Sequence, residues 1–333
     1  MTGQVARLPE VSRVDQVTMQ SAPRTRDALA DLLPRLAARD VLEVGGAGTQ
    51  KELSGQLRVA AWNVERCMFP EKSADLLAKH GADIVLLSEV DNGMARTKQR
   101  NTTAEMANAL NMQYAYGLEF YEMGLGGPTE LAFCSDDTNQ LGWHGNAIMS
   151  SVPFDAVKLI HLDDGGYWFL TEPGMSGNTD QPRLGGRMAI AALIPTHSGQ
   201  ICFVSTHLES NAQGPYRLTQ YRALLDAIDA FARGCPVLIG GDLNTGNHMP
   251  PDFDWQSEDL FELARQSGYS WDMTPPGMTT RPSLITPHPT RQMKLDWFCS
   301  RDLNGSALPL VPALDPDGTP LSDHECILCD IQL

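Results

Sequence analysis

The chain has 333 residues, with 25 Lys and Arg against 41 Asp and Glu, and a formal net charge of −16. A long polyanion is an unexpected substrate for such a surface, because basic groups that neutralise phosphates supply most nucleic-acid affinity. Seven cysteines, an odd number scattered through apolar runs, argue against a disulfide framework and for a reducing, cytoplasmic setting.

No run approaches the roughly 20 apolar residues of a membrane span, and the first 20 residues lack the apolar stretch of a secretory signal. A hydrophobic content of 42% suffices for one large α/β domain or two modest ones. Residues 1–54 read as an N-terminal helical extension and linker. Leu29, Leu32, Leu33 and Leu36 give a helical pattern between Arg24 and Arg39. The following Gly45-Gly46-Ala47-Gly48 lacks the Lys-Ser/Thr ending of a phosphate loop and reads as a flexible connection.

Strands are predicted at 57–64 and 83–89, with a helix at 72–80 between them that stops at Gly81. The basic group Arg96-Thr97-Lys98-Gln99-Arg100 reads as a solvated loop face. Thr102 to Glu105 has capping-box spacing and opens a helix through Leu110. Strands follow at 114–122 and 145–150. Residues 161–186, rich in Gly, Asp and aromatics, read as a lid. A hairpin is predicted from 187–194 and 200–206, then a helix from Pro215 with an apolar stripe closed by Gly234. A four-residue apolar run, 236–239, halts at Gly240-Gly241. There the glycines would let the backbone bend and a ligand approach closely. Alternation would put Asp242 and Asn244 on one side. A second irregular insertion, 247–292, encloses one short helix. The last strands are predicted at 294–300 and 324–331.

Six apolar runs thus carry, at or beside one end, Asn63, Glu89, His207, Asp242 with Asn244, Asp296, or Asp323 with His324. A random surface would mix in Lys and Ser. Oxygen-dominated ligands without cysteine favour a hard cation, which keeps several waters and completes its shell with substrate phosphate. The two imidazoles lack the local spacing common in zinc hydrolases, so Mg²⁺ or Mn²⁺ is expected. Such a site suits phosphoester hydrolysis. Asp242 would accept a proton from water provided no metal claims it, and imidazole or arginine donors would serve the phosphorus centre.

Trp62-Asn63, Ser88-Glu89-Val90, Gly145-Asn146-Ala147-Ile148, Thr206-His207-Leu208, Gly241-Asp242-Leu243-Asn244, Asp296-Trp297-Phe298 and Ser322-Asp323-His324 occur in the order seen in one superfamily. On these motifs the chain resembles the endonuclease/exonuclease/phosphatase superfamily over roughly residues 55–333, which would form a single catalytic domain. The resemblance implies an α/β fold: a four-layer sandwich of two packed mixed sheets flanked by helices. It also implies Mg²⁺-dependent (or Mn²⁺-dependent) phosphoester hydrolysis.

The resemblance makes Glu89 the main metal ligand with Asn63 beside it, and Asp323 a group near that metal or a second one. It makes Asp242 the water-activating base, Asn244 a group orienting water or phosphate, and His207 a donor to phosphate or leaving group. His324 becomes the imidazole on the phosphate, oriented by Asp296. Arg187 matches a phosphate-contacting arginine, with a surface salt bridge as the plain alternative. Asn146 either contacts substrate or shapes its turn. Ser88 stands where the superfamily commonly has Gln. The insertions 161–186 and 247–292 are this chain's own, and Tyr167, Trp168 and Trp255 would either stack on substrate or pack the loops down. The expected substrate is a small or lipid-like phosphoester. The alternatives are a nuclease on DNA or RNA and a non-catalytic binding module on the same fold.

Overall fold

Alternation along the buried strands decides which layer each side chain enters. In the strand Val237–Asp242, Val237 and Ile239 face one apolar cluster while Leu238 faces another. In Gln56–Arg66, Val59 and Ala61 face the cluster that holds Leu238, and Ala60 and Trp62 face a third. Strands apolar on both faces need cover on both, which builds layers.

The computed structural model describes residues 2–172, 175, 181–250, 252–290 and 292–333. In chain order these hold β1 (Gly3–Val5), α1 (Arg13–Ser21), α2 (Arg26–Leu32), β2 (Val41–Gly46), β3 (Gln56–Arg66), α3 (Pro70–His80), β4 (Ile84–Asn92), α4 (Thr102–Leu110), β5 (Gln113–Glu122), α5 (Pro128–Leu131) and β6 (Trp143–Ser150). Then come β7 (Ala156–His161), β8 (Arg183–Gly185), β9 (Met188–Thr196), β10 (Gly199–His207), α6 (Gly214–Ala232), β11 (Val237–Asp242), α7 (Asp259–Gln266), β12 (Asp296–Arg301), β13 (Asn304–Ala307) and β14 (Ile327–Gln332).

One mixed sheet runs β1-β2-β5-β6-β4-β3-β14-β13, with β8 also on β5; the other runs β12-β11-β10-β9-β7. Val59, Leu86, Ile148, Ile190, Phe203, Leu238 and Phe298 fill the space between the sheets. Leu77 of α3 and Met106 of α4 cover the outside of the larger sheet. Tyr221, Leu224 and Ile228 of α6, with Leu260 and Phe261 of α7, cover the smaller. The expected four-layer sandwich is present. All seven cysteines are free, and no described helix is long and apolar enough to cross a membrane.

Several local expectations are corrected. Residues 1–54 add β1 and β2 to the edge of the larger sheet, and Leu8, Met19, Leu29, Leu32 and Leu36 enter its apolar cluster. The glycines expected to form a flexible connection end β2 instead. A Cβ on Gly45 would lie 2.7 Å from the Tyr114 hydroxyl, so glycine admits the tyrosine. The helix expected between Arg24 and Arg39 breaks after Leu32 into tight turns at Pro34, which cannot donate to the helix ladder. The cap of α4 is Asn101, whose side chain accepts from Ala104 N, while Glu105 pairs with Arg100. The basic loop is a solvated face only in part: Lys98 is exposed, but Arg96 is not. Arg96 is 1% exposed and pairs with Asp91, Glu122 and Glu130.

In the expected lid, residues 173–174 and 176–180 lie outside the described residues. Phe169 and Leu170 are core, and β8 pairs with β5, so these parts are packing rather than a free flap. The second insertion also frames the site. Thr279 Oγ1 accepts from the backbone of Leu295 and Asp296, and Thr279 O accepts from Glu325 N.

Candidate active site

Register aligns the first half of the site. Across the smaller sheet His207 sits opposite Asp242, and Asp242 opposite Asp296, so three chemical side chains occupy one lateral row. The glycines before Asp242 serve the packing of strands. A Cβ on Gly240 would come within 2.8 Å of Leu86 and Phe298, and one on Gly241 within 1.9 Å of Thr206 O. The close approach expected from a ligand is made by neighbouring strand and core atoms. Asn244 does not follow Asp242 by alternation: it lies in a turn, where its side-chain Nδ2 donates to the Leu208 carbonyl at 3.0 Å and its Oδ1 accepts from Asn247 at 2.7 Å. Its φ is +51°, and its backbone N–H donates to Asp242 Oδ1 at 2.9 Å.

The other Asp242 oxygen faces three nitrogen groups. Asn63 Nδ2 donates to Oδ2 at 3.1 Å, while His207 Nε2 and His324 Nε2 stand 3.6 and 3.7 Å from it. All four residues are buried. His324 Nδ1 donates to Asp296 Oδ2 at 2.7 Å, and Trp62 Nε1 donates to the His324 carbonyl. Burial alone would drive the proton off His324. The carboxylates of Asp296, Asp242 and Asp323 outweigh it and hold the imidazolium well above the ordinary histidine range.

The second half comes from the larger sheet, where register breaks. Bulges interrupt β3 against β4 between Asn63 and Arg66, and β4 against β6 between Leu87 and Val90. Glu89 lies in the second bulge with φ of +58°, a conformation that side-chain-bearing residues seldom adopt. Its carboxylate accepts from Asn63 Nδ2 at 3.2 Å and from Arg66. Ser88, in the place of the usual Gln, is buried with no partner for its hydroxyl.

Arg187 is neither free for phosphate nor a surface bridge. It is buried, its Nη1 donates to Glu119 at 3.1 Å and its Nε to Glu209 at 3.2 Å, and the guanidinium lies 2.9 Å from His207 Nδ1. Burial would raise the Glu119 carboxyl, but Arg187 and His207 outweigh it and bring it down to about 2. Asn146 lies within β6 opposite Gly117, not in a turn; it is buried and donates to the Met188 carbonyl at 3.0 Å, which ties the larger sheet to β9. Trp168 donates to Glu209 and packs beneath Arg183. Tyr167 meets Tyr216 edge-on.

Sequence reasoning missed Glu65, Arg66, Glu119 and Glu209. Glu65 accepts from Ser283 at 2.6 Å and Thr286 at 3.0 Å; burial and the charge of Asp323 push it up to about 7. A signal was present for two of them. Glu119 interrupts an apolar strand, and Glu65 stands two residues past Asn63.

Among the described residues no three His, Cys, Asp or Glu side chains cluster so as to hold a metal. The Glu89 carboxylate, partly open at 19% exposure, is an oxygen donor that fits a hard cation taking few protein ligands; Asn63 turns its amide nitrogen towards it while its Oδ1 accepts from Glu65 N.

A family model for the endonuclease/exonuclease/phosphatase family matches residues 60–324. No curated protein matches the sequence. Among solved structures, an endonuclease/exonuclease/phosphatase from Beutenbergia cavernae superposes with a TM-score of 0.58 at 18% identity, covering 84% of this chain and 72% of that one. The human nocturnin catalytic domain, solved with bound sulfate, gives 0.55 at 19%, covering 84% and 95%. A humanised D. rerio TDP2 gives 0.53 at 17%, covering 84% and 100%. These likenesses concern the fold. The family match spans well over half of the sequence, from ahead of Asn63 to His324: the chain belongs to the endonuclease/exonuclease/phosphatase family.

Proposed function

We propose that this protein hydrolyses a small or lipid-like phosphoester with the help of a divalent cation, Mg²⁺ or Mn²⁺. The observation that carries the reading is the single Asp242 oxygen that faces Asn63, His207 and His324 together. Asp242 takes the proton of the attacking water. Asn244 fixes the carboxylate through its backbone N–H and orients the water or the phosphate. His324, kept as imidazolium by Asp296, donates to the phosphoryl oxygens, and His207 donates to phosphate or leaving group. Glu89 and Asn63 would hold the cation, with Asp323 near it; once bound, it withdraws charge from the phosphoryl oxygens.

The preference for a small substrate over nucleic acid rests on charge. Arg66, Arg96, Arg183, Arg187 and Arg281 each pair with a protein carboxylate, and the chain carries −16 overall. Asp242→Asn keeps the shape and removes the base. Turnover of bis-p-nitrophenyl phosphate with Mn²⁺ should fall by about 10³ or more while circular dichroism is unchanged. Parental turnover in the variant refutes the mechanism. A plasmid-nicking assay at two salt concentrations tests the nuclease reading, since a backbone binder weakens steeply with salt.

A further inference from the structure

The arginine that meets the candidate metal acid is Arg66. At the end of β3 three consecutive residues, Glu65, Arg66 and Cys67, have φ values of 41°, 72° and 57°. This left-handed curl carries Arg66 across to the bulge of β4, where its Nη1 pairs with Glu89 Oε2. From behind, Arg66 Nε donates to Glu130 Oε1 at 2.9 Å. Glu130 is itself held by Gly127 N at 2.8 Å and by Arg96 Nη1 at 3.0 Å. The guanidinium is only 13% exposed, so its charge is poorly screened by water. The other Glu89 oxygen takes the Asn63 amide at 3.2 Å. Both oxygens of the acid therefore have protein donors.

We propose that Arg66 is a built-in counter-cation for Glu89 that competes with the divalent ion and thereby sets the cation affinity of the site. The inference rests on the reading of Glu89 as a metal ligand. A guanidinium stays charged at any working pH, so the competition is not relieved by deprotonation. Glu130 gives it a second carboxylate to rest on, so Arg66 can yield Glu89 without being left unpaired. In the absence of metal the pair also compensates a carboxylate that would otherwise be partly buried and alone.

Isothermal titration of the full chain with Mn²⁺ tests this. Arg66→Gln should bind Mn²⁺ at least about tenfold more tightly than the parent, because a positive charge beside the ligand is gone. Arg66→Lys keeps the charge and should stay near the parent. Thermal unfolding in EDTA should show Arg66→Gln destabilised without metal and gaining more from Mn²⁺ than the parent does. Equal or weaker Mn²⁺ binding by Arg66→Gln overturns the proposal, since an arginine that merely orients Glu89 would give that result. Should Arg66→Gln fail to fold, Glu130→Gln replaces it. Loss of the rear anchor should commit Arg66 to Glu89 and weaken Mn²⁺ binding several-fold, and unchanged affinity then overturns the proposal. Glu89→Gln is the separate control. If it binds Mn²⁺ like the parent, the underlying assignment of Glu89 fails, whatever Arg66 does.

Discussion

The two sheets deliver their halves of the site by different means. On the smaller sheet, ladder register does the work: His207, Asp242 and Asp296 are lateral neighbours, and the backbone of Asn244 fixes Asp242. On the larger sheet, register fails where the site begins. Two bulges and the left-handed residues Glu65, Arg66 and Glu89 replace it, and ion pairs take over from the ladder. Arg66, Arg96 and Arg183 there meet Glu89, Asp91, Glu122 and Glu130. Buried ions return their desolvation cost only while every partner remains. The smaller sheet should therefore respond to substitution mainly in turnover, and the larger mainly in stability.

Asp296→Asn makes the largest break on the smaller-sheet side. It keeps the shape beside His324 but removes the carboxylate that contributes most to holding the imidazolium. Turnover should fall by about 10³, and some stability should be lost with it, because the buried imidazolium gives up a charged partner. The sign of the pH effect follows: without Asp296 the imidazole loses its proton at lower pH, so activity should decline at lower pH than in the parent. A pH–rate profile of both proteins checks it. An unmoved alkaline limb would separate His324 from the chemistry.

Arg96→Met is the counterpart on the larger sheet. It leaves Asp91, Glu122 and Glu130 without their shared cation in the interior. The expected loss is on the order of 3 kcal/mol of unfolding free energy, read by urea denaturation. In the parent His144 adds no charge to this group. Burial brings it down to about 4 despite Asp91, so it is neutral near pH 7. A stable Arg96→Met variant would erase the contrast between the sheets.

This contrast also explains what the sequence made legible. Asp242 with Asn244, and Asp323 with His324, are local motifs at strand ends, and period-two alternation exposes them as outliers. The sheet order could be anticipated only through the family resemblance. The partners of Arg66, Arg96 and Arg187 lie 23 to 68 positions away for Glu89, Glu130 and Glu119, and no local pattern announces such pairs. That is why Arg96 read as a loop cation and Arg187 as a phosphate ligand. Both are charges enclosed by carboxylates that come from strands, a helix and a loop elsewhere in the fold. The N-terminal strands were missed for a related reason: β1 has three residues, and β2 ends in glycines whose role is to admit Tyr114.

Glu119 sharpens the comparison, because it belongs to β5 of the larger sheet yet pairs with Arg187 and lies near His207 of the smaller. Its carboxyl is brought from 4.5 down to about 2 in the folded protein, where Arg187 and His207 outweigh burial. A depressed carboxyl contributes stability that is fully present above the unfolded value and lost as pH falls through the folded one. Glu119→Gln should thus be less stable than the parent near neutrality by on the order of 3 kcal/mol. The gap should begin to close below about pH 4.5 and vanish near pH 2. Urea denaturation at a series of pH values measures it. If the gap keeps its size down to pH 2, Glu119 joins the sheets by packing and not by charge. The ladder-ordered half would then be electrostatically independent of the ion-paired half, and the two could be altered separately.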